Sequence, residues 1–206
     1  MNTEDSLDIK QFSQACEENK TPILNIIREE FSEAREILEI GSGTGQHAVF
    51  FGAYLPHLTW QTSDLESSHA SINAWRSEAA LKNVLPPLIL DATDRQWPDK
   101  YYDGLFSANT THIMGWSAVE NLFARIGNVL ASGAGFCLYG PFNYGGHYTS
   151  DSNERFDQWL RDRDPLSGIR DFEALDLLAR DNGMSLKADH EMPVNNRLLV
   201  WTYKDA

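Results

Sequence analysis

Three glycines on alternate positions, Gly41, Gly43 and Gly45, form the most distinctive chemical pattern in this sequence. They follow an apolar stretch at 37–40 that is typical of a buried strand, and Glu39 completes the pattern E-x-G-x-G-x-G. Glycine is used in ordered structure where φ is positive or where the backbone comes close to another group. A strand, a glycine turn and a helix place free backbone N–H groups and the positive end of a helix dipole against a ligand. The pattern therefore predicts a ligand-binding turn.

Polar side chains stand at the ends of the next three predicted strands. Asp64 follows the second strand, 19 residues beyond Gly45 (64 − 45), where a carboxylate can accept both hydroxyls of a ribose. Asp91 ends the third predicted strand, and Asn109 ends the fourth, next to the point where strand order is expected to reverse and ligands bind. Each could also be an ordinary helix cap or loop end. Together they predict one binding crevice.

The glycine spacing argues against a dinucleotide site. Dinucleotide enzymes use G-x-G-x-x-G, whose third glycine would fall at residue 46, and this chain has Gln46 there. A nicotinamide-dependent oxidoreductase on a similar sheet is therefore a weaker alternative.

The elements that must hold these residues alternate between strands and helices. Predicted strands are 37–40, 58–63, 88–92, 104–108 and 135–139, and predicted helices are roughly 45–55, 68–82, 117–130, 153–163 and 171–182. Such alternation predicts an α/β fold with a parallel sheet covered by helices on both sides. The final stretches, 184–192 and 197–203, are joined by a turn-rich link, which predicts an antiparallel hairpin and a reversed last strand.

Two helix starts carry recognisable signals. Thr21 and Pro22 read as an N-cap and first helical position, which predicts a leading helix that ends near Ser32. Ser117 and Glu120 have the spacing of a capping box at the start of the helix over 117–130.

Composition limits the kinds of partner. The 206 residues carry 17 Lys and Arg against 30 Asp and Glu, a formal net charge of −13, without basic and aromatic clusters. A phosphate backbone would be repelled, so no nucleic-acid partner is expected. No apolar run approaches the ~20 residues of a membrane span, and the acidic N-terminus lacks a secretory signal. We expect one cytoplasmic domain over 1–206 without a membrane partner.

The pattern from Glu39 to Gly45, with the acidic strand ends, resembles class I S-adenosylmethionine (SAM) dependent methyltransferases. Further stretches, including SANTTHIM (107–114), GPFNYGGHYTSDSNERFD (140–157) and DPLSGIRDFEAL (164–175), resemble the methyltransferase-like protein 26 branch, long catalogued as a domain of unknown function. The resemblance covers nearly the whole chain. One departure is Glu18, where the branch's pattern suggests Arg, so any ion-pairing role of that position is in doubt.

The resemblance implies a Rossmann-like three-layer sandwich with a seven-stranded sheet in the order 3-2-1-4-5-7-6. It implies SAM as cofactor and S-adenosylhomocysteine (SAH) as product, with an N-terminal helical cap at 1–33 and a substrate-side lid with helices at 140–183. The implied cofactor-binding residues are Asn19, Glu39, Gly41, Ser42, Gly43, Thr44, Gly45, Asp64, Leu65, Asp91, Ala92, Asn109 and Thr110.

Methyl transfer from a sulfonium needs alignment of the acceptor and exclusion of water more than it needs a base. His112, three residues past Asn109, is a candidate base or acceptor-orienting residue, with a structural loop histidine as the alternative. Tyr144, on the long aromatic loop after strand five, is the second catalytic candidate, and His147 and Tyr148 are further substrate-side candidates. No metal is expected, because metal-ligand spacing is lacking.

The sequence indicates the chemical class of the methyl acceptor only broadly. Related nucleobase and protein-amide methyltransferases carry [DN]-P-P-[YF] where this chain has Asn109-Thr-Thr-His112, which disfavours planar amines and slightly favours O-methylation. We expect a small-molecule or short-peptide acceptor. The alternative is a SAM-binding regulatory or scaffold protein that transfers no methyl group.

Overall fold

The computed structural model of the protein describes residues 9–94 and 97–204. Its strands are β1 (Glu36–Ile40), β2 (Thr59–Asp64), β3 (Val84–Ile89), β4 (Tyr102–Ala108), β5 (Leu130–Gly140), β6 (Phe142–Asn143), β7 (Arg170–Asp171), β8 (Met184–Met192) and β9 (Asn196–Tyr203). Its helices are α1 (Gln14–Glu30), α2 (Gln46–Tyr54), α3 (His69–Ala79), α4 (Trp116–Ile126), α5 (Asp151–Arg163) and α6 (Phe172–Asp181), with a 3-10 turn at Glu66–Ser68.

One seven-stranded sheet has the order β3-β2-β1-β4-β5-β9-β8. Strand β1 pairs in parallel with β2 and β4, and β2 pairs in parallel with β3. Strand β9 runs antiparallel to both β5 and β8. The short strands β6 and β7 form a separate pair. Counting the main-sheet strands alone, the order is the predicted 3-2-1-4-5-7-6, so the Rossmann-like α/β prediction and its reversed last strand are confirmed.

The chain divides into two compact units. The first comprises Met1–Asp91 with Tyr102–Ser107, and the second comprises Ala92–Tyr101 with Ala108–Ala206. The prediction of a single domain with a cap at 1–33 and a lid at 140–183 stays a prediction. Residues 1–8 of that cap lie outside the described residues.

Aromatic side chains form the centre of each unit. In the first, the Phe51 ring lies 5.4 Å from Trp60 and 5.3 Å from Phe106. In the second, the Phe136 ring lies 5.8 Å from Trp201 and 5.9 Å from Phe123. Large aromatic groups dominate core energetics because each buries much apolar area, so these clusters anchor the strands that carry the candidate sites.

The predicted start of the leading helix is wrong. Helix α1 begins at Gln14, where Ser13 is the N-cap and its hydroxyl accepts a hydrogen bond from Cys16 N–H at 3.3 Å, and Pro22 lies inside the helix. An interior proline costs about 3 kcal/mol. Burial of Ile23 and Ile27 contributes roughly 1.5–3 kcal/mol each, which offsets that cost.

The capping box predicted for the fourth helix is also wrong. Helix α4 begins at Trp116 after Gly115, which makes no side-chain cap bond, so Ser117 lies inside the helix. The helix ends at Ile126, and β5 starts at Leu130, five residues before the predicted strand (135 − 130). Leu130 is buried in β5, and because a buried apolar residue suits the inner face of a helix as well as a strand, its apolar spacing could not separate the two.

The third strand lies earlier than predicted. It covers Val84–Ile89 and includes Pro86 and Pro87, whereas the prediction was 88–92. Proline lacks an N–H donor and is tolerated in edge strands, and β3 is an edge strand of the sheet. Asp91 therefore follows the strand by two residues (91 − 89) instead of ending it.

The remaining predicted elements lie within about three residues of their observed bounds, as expected for boundaries read from sequence. In the described part of the chain, no helix combines the length and apolar character needed to cross a membrane.

Candidate functional site

In the turn between β1 and α2, the backbone conformation at positions 41, 43 and 45 favours glycine. The φ angles of Gly41, Gly43 and Gly45 are 74°, 56° and 95°. The N–H groups of Gly41 and Ser42 both donate to the Ser63 carbonyl at 3.0 Å. L-residues rarely adopt such φ angles, so the three glycines are explained first by backbone conformation. The two hydrogen bonds fix the turn to β2.

The space available for a side chain differs between Gly45 and Gly43. A Cβ on Gly45 would lie 2.9 Å from Cα of Ile72, so Gly45 allows α3 to pack closely. A Cβ on Gly43 would meet no heavy atom within 4 Å. Packing therefore accounts for Gly45, while the turn is open at Gly43.

Asp64 lies beside this open position. Its Oδ2 accepts the Gly43 N–H at 2.7 Å, and its Oδ1 accepts the Leu65 N–H at 2.7 Å and the Ser68 hydroxyl at 3.0 Å. A carboxylate offers about four acceptor positions, so three hydrogen bonds leave capacity for another donor. The structure thus brings Asp64 and the glycine turn together, while the Leu65 side chain is about half exposed.

Glu39 is buried beneath the turn. Its Oε2 accepts the Ser42 hydroxyl at 2.7 Å and the Trp60 indole N–H at 3.1 Å, and the Ser42 hydroxyl accepts the Ser63 N–H at 3.1 Å. Burial raises the pKa of Glu39 to about 7, the two hydrogen bonds oppose that rise, and the charge of Asp64 adds to it. Glu39 and Ser42 therefore support the turn from inside the protein.

Asn19, a predicted cofactor-binding residue, contacts a histidine on the next helix. Its Oδ1 lies 2.6 Å from His47 Nε2, and both residues are buried. Burial, with the positive charge of Lys20, lowers the pKa of His47 to about 4, so the ring is neutral at pH 7. This contact ties α1 to α2.

Sequence reasoning missed the side chains that hold Thr44. The Ser71 hydroxyl donates to the Thr44 carbonyl at 2.9 Å and accepts the Gln11 N–H at 3.0 Å. Gln46 Oε1 accepts the Thr44 hydroxyl at 3.1 Å and the Ser13 N–H at 2.5 Å. In the sequence, Gln46 marks only the position where a third dinucleotide-type glycine is lacking, and its polar side chain at the start of α2 is the signal that could indicate these contacts.

Asp91 is partly exposed after β3, and Ala92, the first residue of the second unit, is buried. The other predicted residues, Asn109, Thr110, His112 and Tyr144, also belong to the second unit.

Asn109 adopts a left-handed conformation directly after β4. Its φ is 58°, and its N–H donates to the Tyr139 carbonyl at 2.9 Å. Thr110, the next residue, is buried. Asparagine tolerates this φ better than most side chains, which explains the residue type without any ligand.

His112 is 5% exposed, and its Nδ1 has no hydrogen-bond partner. The ring packs edge-on against Phe156 at 5.4 Å between centroids. Burial lowers the pKa of His112 to about 4, and the positive charge of Arg170 contributes. His112 is therefore neutral at pH 7. Its ring can donate or accept hydrogen bonds, but it is a weak base.

Arg170 holds the loop that carries His112. Its Nε donates to the Thr111 carbonyl at 3.0 Å, and its Nη2 donates to the carbonyls of Met114 and Leu166. The Gly168 N–H donates to the His112 carbonyl at 2.9 Å. The segment 164–175, which carries much of the family resemblance, therefore fixes the loop at 109–114.

Tyr144 is engaged in hydrogen bonding and stacking within the second unit. Its hydroxyl donates to Asp189 Oδ2 at 2.7 Å, and its ring stacks on Phe172 at 5.2 Å. Burial and the Asp189 carboxylate raise the pKa of Tyr144, partly opposed by Arg197, so the phenol stays protonated. A hydroxyl held in this way is not a ready base.

The loop after Tyr144 is anchored at two further points. The Gly145 N–H donates to the Glu173 carboxylate at 3.0 Å, and the Tyr148 hydroxyl donates to Asp157 at 2.7 Å. His147 is exposed. Among residues 9–94 and 97–204, no group of three or more His, Cys, Asp or Glu is arranged to hold a metal ion.

Comparisons with known proteins agree with this architecture. The family described as "Protein of unknown function (DUF938)" matches residues 10–203. An O-methyltransferase family protein from Burkholderia thailandensis superposes with a TM-score of 0.81 at 14% identity, covering 91% of this chain and 57% of the other.

Two further structures contain a bound cofactor. Human N-acetylserotonin methyltransferase in complex with SAM matches with a TM-score of 0.73 at 12% identity, covering 90% of this chain and 52% of its own. The O-methyltransferase NcsB1 from neocarzinostatin biosynthesis, in complex with SAM and 2-hydroxy-5-methyl naphthoic acid, matches with a TM-score of 0.73 at 16% identity. The match covers 92% of this chain and 54% of NcsB1. The present chain thus spans less than two thirds of the length of these proteins, and the likeness establishes the fold.

Proposed function

This chain belongs to the DUF938 family, and for it we propose SAM-dependent methyl transfer to a small-molecule or short-peptide acceptor, with O-methylation slightly favoured. The observation that carries the proposal is the open glycine turn with Asp64 fixed beside it. The fold shared with methyltransferases supports it. The sequence resemblance to the methyltransferase-like protein 26 branch, and the expected cytoplasmic location, belong to the same proposal.

The residues present at the turn fit a SAM molecule. Gly43 leaves room for a ligand beside the backbone, and Asp64 retains an acceptor position for a ribose hydroxyl. We assign cofactor contacts to Gly41–Gly45, Asp64 and Leu65, and Glu39 positions the turn through Ser42. Roles for Asn19, Asp91, Ala92, Asn109 and Thr110 rest on the resemblance alone, and Asn19 is already bonded to His47.

Methyl transfer from SAM requires little acid–base catalysis from the protein. When bound, SAM supplies a methyl group already activated by its sulfonium, so the protein's task is to orient the acceptor and exclude water. His112, neutral and with a free ring nitrogen, is the proposed acceptor-orienting residue. Tyr144 supports the surrounding loop through Asp189.

A SAM-binding regulatory protein without transferase activity is the second candidate. The observation that favours it is the lack of a ready base, because the Tyr144 hydroxyl is bonded to Asp189 and the His112 pKa is about 4. Methyl groups transferred from labelled SAM into a small-molecule extract would exclude this candidate.

Calorimetry with SAH tests the cofactor site. Wild-type protein is expected to bind SAH, and Asp64→Ala is expected to weaken binding about tenfold or more, because hydrogen bonds to a charged group contribute roughly 1.5–3 kcal/mol. Asp103→Ala is the matched control, since Asp103 is an exposed carboxylate that, like Asp64, accepts two backbone N–H groups in the first unit, here from Arg35 and Glu36. Equal losses in both variants, or no heat with wild type, would contradict the proposal.

A further inference from the structure

The segment at 10–13, which precedes α1, is bound by a serine of α3 that also binds the glycine turn. The Ser71 hydroxyl accepts the Gln11 N–H at 3.0 Å and donates to the Thr44 carbonyl at 2.9 Å. Ser71 is buried, and α3 can approach the turn this closely because Gly45 lacks a Cβ. One buried hydroxyl therefore joins the segment to the backbone of the turn.

Gln46, the first residue of α2, binds the same segment through both polar atoms of its amide. Its Oε1 accepts the Ser13 N–H at 2.5 Å, and its Nε2 donates to the Ser13 carbonyl at 3.3 Å. The same Oε1 accepts the Thr44 hydroxyl at 3.1 Å. An amide supplies an acceptor and a donor side by side, which neither a glycine nor a carboxylate can do. Gln46 therefore joins the segment to the side chain of Thr44.

A third contact holds the segment from further along α3. Trp75 lies one helical turn beyond Ser71, and its indole N–H donates to the Gln11 carbonyl at 2.8 Å. Lys10 Nζ lies 3.8 Å from the centroid of the Trp75 ring. Changing the indole would therefore loosen the segment while leaving in place the side chains that bind Thr44.

Thr44 and Gly43 are neighbours with different surroundings. Position 43 faces open space beside Asp64, where the cofactor is proposed to lie, whereas Thr44 is fixed by side chains of α2 and α3. A glycine-rich backbone samples many conformations when it is free, so a ligand at Gly43 would have to order it. Restraining Thr44 in advance lowers that entropic cost of binding. All of these residues belong to the first unit.

We propose that Gln46 and Ser71 are positioning residues for the cofactor, which couple the binding of SAM at the glycine turn to closure of the segment at 10–13 on α2 and α3. The inference rests on the proposed methyltransferase function and adds the residues that hold the turn in its binding conformation. Such coupling is reciprocal. If the bound segment pre-organises the turn, the cofactor stabilises the bound segment by the same factor.

Hydrogen exchange of the segment's amides tests this coupling in the wild-type protein. Exchange of the Gln11 and Ser13 N–H groups is measured by nuclear magnetic resonance with and without saturating SAH. Both are expected to exchange about fivefold more slowly with SAH, the lower end of typical coupling between two sites. The Arg35 and Glu36 N–H groups, which donate to the Asp103 carboxylate in the same unit, are the matched control and should be unchanged. No slowing at Gln11 and Ser13, or equal slowing at all four amides, overturns the inference.

Trp75→Phe loosens the segment at a distance from Thr44. It removes the indole donor to the Gln11 carbonyl and is expected to weaken SAH binding about fivefold in calorimetry, the size of one hydrogen bond. Tyr54→Phe, at an exposed aromatic residue of the same unit, is the control and should bind SAH like wild type. A merely structural role of Trp75 would lower the thermal midpoint without changing SAH affinity, and that result contradicts the coupling.

Ser71→Ala removes both hydrogen bonds of the bridging hydroxyl. It is expected to weaken SAH binding about tenfold, whereas Ser77→Ala, at an exposed position of the same helix, leaves it unchanged. Failure of the wild type to bind SAH contradicts the proposed function itself. Normal SAH binding by the wild type together with undiminished affinity in Ser71→Ala and Trp75→Phe contradicts only the coupling.

Discussion

Glu39 shows how one buried side chain can link the glycine turn to the sheet. A carboxylate at 2% exposure is costly to keep charged, yet its Oε2 accepts hydrogen bonds from Ser42 and Trp60. The result is a pKa near 7, so Glu39 changes protonation state close to neutral pH. A sequence pattern marks this position as acidic but does not tell how far its burial shifts the titration.

Glu39→Gln is expected to gain stability relative to wild type as pH rises. The folded-state pKa of about 7 lies above the unfolded value of about 4.5, so the folded protein holds the proton more tightly, and this stabilisation is lost between those pH values. Gln is neutral and can accept the same two hydrogen bonds. The free energy of unfolding of Glu39→Gln should be close to that of wild type at pH 4.5 and about 3 kcal/mol higher than that of wild type above pH 7.

Urea unfolding at pH 5, 6, 7 and 8 measures this difference, with Glu33→Gln as an exposed control. The control is expected to follow wild type at every pH. Parallel stability profiles for wild type and Glu39→Gln would show that Glu39 is charged throughout.

At the scale of elements, α1 illustrates how capping and burial together decide a helix start. The apolar residues Ile23 and Ile27 marked the helix, and Pro22 suggested its first turn, yet the chain continues as helix back to the Ser13 cap. Packing of α1 on α2, including the contact between Asn19 and His47, stabilises the additional turns.

Ser13→Ala is expected to destabilise the protein by about 1 kcal/mol, because the cap bond to the Cys16 N–H is lost. Ser117→Ala is the informative comparison, since Ser117 was the predicted cap of α4 but is exposed inside that helix. It should change the free energy of unfolding by only a few tenths of a kcal/mol. A larger loss from Ser117→Ala than from Ser13→Ala, measured by chemical denaturation, would support the sequence-based caps instead.

For the whole molecule, acid stability depends on histidines buried in both units. His47 lies in the first unit and His112 in the second, and burial lowers the pKa of each to about 4. Unfolding exposes rings that protonate near pH 6.5. Between pH 6.5 and 4 the unfolded chain therefore binds more protons, and stability falls as the pH falls.

His47→Gln is expected to reduce this acid sensitivity. Gln can keep the contact with Asn19 but does not titrate, so the variant should avoid a loss of about 3 kcal/mol between pH 6.5 and 4. Thermal unfolding across pH 4 to 7.5 measures the effect, and His57→Gln, at an exposed position, is the control. An unchanged slope in His47→Gln would mean that His47 is protonated in the folded protein or is not buried in solution.

Local patterns account for the parts of the fold that depend on neighbouring residues. Alternating apolar stretches located β1, β2 and β4, and the glycine spacing located the turn before α2. Pro22 indicated the wrong helix start, and Pro86 lies in β3 but outside the predicted third strand, because the cost of proline in a helix or strand depends on burial and edge position. Those are properties of the tertiary structure.

Local features of the sequence predicted the α/β architecture, the positive-φ turn and the position of Asp64 at the end of β2, because hydrophobic period, glycine and strand length act locally. That Gly43 faces open space while Gly45 faces Ile72, and that His112 Nδ1 is buried without a hydrogen-bond partner, follows from the folded structure alone. Contacts between residues distant in the chain set burial, free volume and proton affinity, and no local pattern encodes them.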